Sequence, residues 1–142
     1  IPGLENVEFV RYGVMHRNTF LNSPGFLDRQ FRVIGTKALF FGGQITGVEG
    51  YVESAASGMV CGLTLAAVLL DHKIPDFPPT TALGALGRYV SAPNHDFQPM
   101  HINFGIMDTG SVKARSRGAR YLEVANKALA AVRIIRDSYE TE

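Results

Sequence analysis

Between Leu39 and Gly58 an apolar run breaks into a glycine-studded loop, then into a long stretch with no charge, and no other segment constrains the fold as tightly. Ala38-Leu39-Phe40-Phe41-Gly42-Gly43 is continuously apolar and stopped by glycines, which suits a strand covered on both faces in a parallel sheet. A long helix is expected from about Gly50 to Leu70. Strand, loop and helix in that order place the loop at the carboxyl end of a strand, where open α/β sheets bind ligands. Gly42, Gly43, Gly47 and Gly50 let the main chain approach a ligand closely, because no Cβ intervenes. The helix start adds unpaired N–H groups and a partial positive charge. An anionic or electron-accepting group suits such a place.

Two phosphate-binding patterns are excluded. Gly42 and Gly47 have the spacing of a nucleotide-hydrolase loop, but Val48 and Glu49 stand where Lys and Ser or Thr are required. The GxGxxG pattern is also missing. Composition alone is equally served by a glycine-rich turn that packs a helix tightly on a sheet, so the residues define a site shape without a ligand.

Ser54 to Leu70 carries no charge and approaches membrane-spanning length. Its first half is Ser, Ala and Gly, and Glu49, Glu53 and Asp71 bracket it closely, so a helix buried inside a soluble α/β protein is the expectation. The 142 residues suffice for one domain with a core. A net charge of +1 selects no partner. The start Ile1-Pro2-Gly3 lacks a basic region followed by an apolar one, so no signal peptide is expected. The lone Cys61 cannot form an internal disulfide. It sits among Met59, Val60, Gly62 and Leu63 with no neighbouring His or Lys, as a buried structural cysteine would.

Elsewhere, residues 7–11 alternate like a short half-exposed strand, and residues 13–20 read as a second extended piece closed by the turn signal Asn22-Ser23-Pro24-Gly25. Residues 73–79, with three prolines, are a linker. Thr80 or Thr81 is placed to cap a short helix through about Val90. Residues 91–107 read as loop. A final helix is expected from about Lys113 to Tyr139, with Tyr121, Ala125, Ala128, Val132, Ile135 and Tyr139 forming one apolar stripe.

The segment Gly42-Gly43-Gln44-Ile45-Thr46-Gly47-Val48-Glu49-Gly50-Tyr51-Val52-Glu53-Ser54-Ala55-Ala56-Ser57-Gly58 closely resembles the C-terminal flavin motif of the bacterial TrmFO, or Gid, family of methylenetetrahydrofolate–tRNA (uracil-C5) methyltransferases. Four further blocks agree in order: residues 1–6, residues 11–24, Thr80-Thr81-Ala82-Leu83-Gly84, and Phe97-Gln98-Pro99-Met100-His101-Ile102-Asn103-Phe104-Gly105. Together they cover essentially the whole chain. Related flavoproteins that modify another tRNA uridine carry a Thr-Thr-Gly-Tyr-Glu-Glu type segment where this chain has Gly47 to Glu53, which favours the methyltransferases.

The resemblance implies an α/β fold, the C-terminal part of a Rossmann-type, glutathione-reductase-like FAD-binding domain with a C-terminal helical extension. Residues 1–72 would be the C-terminal half of the FAD domain and 73–142 the extension packed on it. It further implies that methylenetetrahydrofolate supplies a carbon, that flavin reduced by NAD(P)H relays it, and that cysteines upstream of the matched region activate uridine. Cys61 is then not the nucleophile, and no catalytic residue is expected here. Gly43, Gln44, Gly47, Val48, Glu49, Gly50 and Tyr51 would line FAD. His16 and Tyr51 would lie beside the flavin and stack with the folate pterin, with Arg17 and Asn18 as orienting polar groups. Glu49 and Glu53 near a helix start are favoured by the dipole without a catalytic role. His72, His95 and His101 lack metal-ligand spacing, so no metal is expected.

Lys113, Arg115, Arg117 and Arg120 gather at the expected start of the last helix with no acid among them, where the dipole disfavours positive charge. Phosphates would compensate them, and a solvated basic face accounts for them equally well. The expected whole is a cytoplasmic enzyme, partnered by its own N-terminal remainder, that methylates uridine in the T-loop of tRNA. Ribosomal RNA as target, or a non-catalytic structural or RNA-docking segment, are the alternatives.

Overall fold

The computed structural model describes residues 2–3, 5–8, 19–110, 112 and 116–140. Its elements are a 3-10 turn Gln44–Thr46, then α1 (Tyr51–Leu70), α2 (Ala82–Ser91) and α3 (Arg117–Glu140). Residues 9–18, and with them most of the two extended segments expected near the start, lie outside the described residues.

The helices follow from their boundaries. Gly50 caps α1 with φ 93° and ψ 143°, a conformation open to glycine and little else. Asp71 ends α1 in the left-handed region at φ 57°. Thr81 caps α2, its hydroxyl accepting from the Gly84 amide at 3.0 Å and donating to the Pro78 carbonyl at 2.8 Å. That cap is the one expected from the sequence. The inward face of α3 carries Val124, nearly fully buried, with Ala128, Ala131, Val132 and Ile135 half-buried behind it. Of the expected stripe only Ala128, Val132 and Ile135 turn inward; Tyr121, Ala125 and Tyr139 are exposed, and the buried Val124 lies outside it.

No strand of a sheet occurs among the described residues; pairing is limited to isolated bridges. The apolar run 38–43 is therefore not a strand covered on both faces. Val33 N–H donates to Leu39 at 2.8 Å and Phe41 N–H to Phe31 at 3.0 Å, so the run pairs antiparallel with residues 31–33. Leu39 stays half-exposed. The run's backbone is satisfied by a local partner on one edge, which leaves no ladder for a parallel neighbour on that side.

That local partner is built around Phe31, a non-glycine residue at φ 63°. Such a conformation costs on the order of 1–3 kcal/mol. The Asp28 carboxylate holds it, accepting from the Gln30 amide at 2.9 Å and the Arg32 amide at 3.0 Å, with the Arg32 guanidinium at 2.9 Å. The ring is fully buried, and burial of that size offsets about 2–3 kcal/mol. Phe31 joins Val48, Val60, Leu86, Val90 and Phe97 in the core, which draws on the 3-10 loop, α1, α2 and the segment after α2.

α1 departs from expectation. It is long and apolar enough to span a membrane by length and composition, yet only 22% of its apolar window is buried. Ser57, Val60, Thr64 and Ala67 form its buried stripe, while Met59, Leu63, Leu69 and Leu70 lie open. A cleft of about 680 Å³ runs beside this open side, lined by Met59, Leu63, Phe77, Leu83, Val132 and Ile135 among others.

Candidate functional site: the loop-to-helix junction

The junction is held by one local bond pair and by bonds to α1, to Ser23 and to the segment after α2. Thr46 folds back on Gly43, through its amide at 3.0 Å and its hydroxyl at 2.7 Å. Gly43 N–H donates to the Ser57 hydroxyl at 2.7 Å, tying the loop to α1. Ser23 donates to the Thr46 carbonyl at 2.9 Å from the other side. Across the loop, Met100 N–H donates to Gly47 at 2.9 Å and Glu49 N–H to Met100 at 3.0 Å. This is a single parallel bridge between Val48 and Met100.

The glycines do more than leave the main chain bare. A Cβ on Gly47 (φ 86°) would overlap the Phe97 ring, with Cε1 2.7 Å away, and one on Gly50 would overlap the Glu53 carboxyl group, with Cδ 2.6 Å away. Cβ atoms on Gly42 and Gly43 would meet α1 itself, near Gly58, Cys61 and Ser54. The space that these glycines open is taken by protein. What remains for a ligand is the amide edge and the first turn of α1. Among the described residues no acceptor meets the N–H groups of Tyr51, Val52 or Glu53. Tyr51 is 99% exposed and Val52 80%.

Val48 is buried in the core, so of the expected FAD-lining residues it offers only its main chain. Gln44 is exposed at the start of the 3-10 turn. His16, Arg17 and Asn18 lie outside the described residues, as do Lys113 and Arg115. Arg117 and Arg120 stand exposed in the first turn of α3, which holds no acidic residue. Cys61 is half-buried, its thiol 3.6 Å from the Phe41 carbonyl oxygen, and burial pushes its pKa up. A thiol so placed is protonated and a poor nucleophile.

One member of the site escaped the sequence reading. The Met100 bridge carries His101 to the start of α1, with Nε2 3.4 Å from Glu49 Oε2 and Nδ1 3.9 Å from Glu53 Oε1. His101 lies far from the two neighbouring carboxylates in sequence, and only the pairing of Met100 with the loop unites them. The block Phe97 to Gly105 places His101 two residues after Pro99 in a loop, but its spacing from Glu49 and Glu53 gives no sign of their meeting. Among the described residues no group of three or more His, Cys, Asp or Glu is placed to hold a metal ion.

Amides without acceptors among the described residues at the start of a long helix, a fully exposed tyrosine and the His101, Glu49 and Glu53 trio at the rim make up this loop-to-helix junction. The model of the family described as glucose inhibited division protein A matches residues 1–73, and the chain belongs to that flavin-binding family. Among curated relatives, a methylenetetrahydrofolate–tRNA-(uracil-5-)-methyltransferase TrmFO of Acetivibrio thermocellus is 55% identical over 91% of this chain and 30% of its own length. Proteins of the same name are 48% identical in Bacillus subtilis, over 95% of this chain and 31% of that protein, and 51% in Streptococcus pneumoniae, over 92% and 30%. The chain thus spans about a third of the length of the curated relatives it matches.

Proposed function

We propose that this chain is the C-terminal segment of a folate- and FAD-dependent enzyme that methylates uridine C5 in tRNA. The observation that carries the reading is the start of α1, where the amides of residues 51–53 have no acceptor among the described residues and Tyr51 has almost no packing partner. Its support is the similarity of close to half or more of all aligned positions to proteins of that name.

Bound FAD supplies the redox and carbon-relay chemistry, with methylenetetrahydrofolate as carbon donor and NAD(P)H as reductant. The chain's own residues bind and orient. The amides of residues 51–53 hold negative charge at the ring's edge, aided by the dipole of a 20-residue helix. The Tyr51 ring offers a flat apolar face with a polar tip, suited to stacking on a pterin or flavin. His101, between Glu49 and Glu53, holds or moves a proton at an imidazole nitrogen beside that edge. We further propose that the remainder of a Rossmann-type FAD domain supplies the sheet that residues 1–72 lack among the described residues, that 73–142 form the helical extension, and that the enzyme is cytoplasmic.

Flavin titration tests the reading. The polypeptide of family length carrying this segment should bind FAD and, with methylenetetrahydrofolate and NAD(P)H, place a labelled carbon on tRNA uridine. Tyr51→Ala should weaken folate use at least tenfold. A colourless polypeptide that methylates no RNA would end the proposal. A product found in ribosomal RNA and not tRNA would move the substrate within the same chemistry.

A further inference from the structure

Phe104 is held outward with unusual care. Its neighbours Ile102 and Ile106 pack against the core, and the turn over residues 104–106, closed by the Ile106 N–H on the Asn103 carbonyl at 3.3 Å, carries Phe104 to the surface. Asn103 stiffens the bend, accepting from the Gly105 amide at 2.8 Å and donating to the His101 carbonyl at 3.0 Å. The Phe104 ring stacks on Tyr121 of α3, centroids 4.6 Å apart and planes 12° apart, yet it stays 43% exposed. Arg117 lies 5.3 Å from the centre of the Tyr121 ring and donates to its hydroxyl. Among the described residues neither Arg117 nor Arg120 has an acidic partner, and both sit in the helix turn where the dipole works against them.

Docking a loop on α3 explains why the two rings touch. It explains neither the open face of Phe104 nor two uncompensated cations beside it. Flat faces for stacking beside charges for phosphate describe what a single-stranded nucleic acid needs. From this we infer that Phe104, Tyr121 and Arg117 form a stacking platform for an unpaired RNA base, with Arg120 taking an adjoining phosphate. The inference rests on the proposed RNA substrate and deepens it. An unpaired base is required because bases inside an RNA duplex do not present their faces. The platform also lies close to the junction. Phe104 is three residues from His101, a tether of at most about 10 Å, and His101 reaches Glu49 beside the start of α1.

The test uses the full-length flavin-loaded enzyme and a tRNA hairpin with a fluorescent purine analogue in its loop. Wild type should quench the analogue on binding. Phe104→Leu, which keeps apolar volume but removes the aromatic face, should abolish the quench and weaken binding by about fivefold to a hundredfold, with the salt dependence unchanged. Phe104→Trp should restore both. Arg120→Gln should lower the slope of log affinity against log salt by about one. If wild type binds and methylates the RNA while Phe104→Leu binds and quenches equally, the platform is wrong and the methyltransferase reading stands. If wild type neither binds nor methylates RNA, both fall.

Discussion

A Cβ on Gly47 would lie 2.7 Å from Cε1 of Phe97, so a residue of the flavin-like motif and an aromatic from the loop after α2 can share the site only because one of them has no side chain. Phe97 in turn stacks at a tilt on Tyr89 at 5.4 Å and meets Phe20 edge-on at 6.2 Å. The ring is locked from both sides, and the same segment delivers His101 to Glu49. Packing and site are thus one arrangement.

Gly47→Ala should therefore damage both. An alanine at φ 86° costs about 1 kcal/mol in conformation alone, and forcing Phe97 aside adds about 1–3 kcal/mol. Denaturant unfolding should show a stability lowered by about 2–4 kcal/mol in all, and FAD affinity should fall with it. An unchanged midpoint would mean that the ring has room to retreat.

Tyr51→Phe and Tyr51→Ala separate binding from folding. With the side chain almost wholly in solvent, neither change should alter stability by more than about 0.5 kcal/mol. Tyr51→Ala should still raise KM for methylenetetrahydrofolate in the full-length enzyme, while Tyr51→Phe, which keeps the ring, recovers most of it. Equal loss in both variants would assign the effect to the hydroxyl.

The helices were legible because their signals are local. The Thr81 hydroxyl, the Gly50 break and the three-and-four spacing along α3 each act within a few residues. The motif loop was legible as a loop for the same reason. The supposed strand at 38–43 was misread because an apolar run suggests burial without fixing a partner; none of these residues is fully buried, and residues 31–33 take its hydrogen bonds across the turn Val33–Thr36. Gly35, at φ 84°, stands in the turn that folds the two stretches together, but nothing local marks the left-handed Phe31 before it. The meeting of His101 with Glu49 and Glu53 depends on one pair of backbone bonds between residues about fifty apart, and spacing in sequence carries no trace of it.

Cys61 gives a pH signature. Burial, opposed by a backbone hydrogen bond and reinforced by the Asp28 charge, raises its pKa. The folded thiol thus holds its proton more tightly than the unfolded one, whose pKa is about 8.5. The stability from this difference is fully present below that value and is lost as pH rises through the folded pKa. Stability should therefore decline on the alkaline side, less steeply in Cys61→Ala. Alkylation of native protein at neutral pH should be slower than after unfolding, and methylation by the full-length Cys61→Ala enzyme should persist.

Thr64 supplies the sharpest test of how the open helix is seated. Its side chain is fully buried in the middle of α1, and its hydroxyl has no hydrogen-bond partner among the described residues. A buried donor left unmade costs about 1–3 kcal/mol, whereas an apolar group of the same shape avoids that cost. Thr64→Val keeps the branched outline and removes only the hydroxyl's demand, so it should raise stability by about 1 kcal/mol in denaturant unfolding, against the usual direction for a core substitution. Thr64→Ser, which keeps the demand and opens a methyl-sized void, should lower it by a similar amount. Destabilisation by both would show that the Thr64 hydroxyl is satisfied in solution and that this side of α1 faces water or a polar partner.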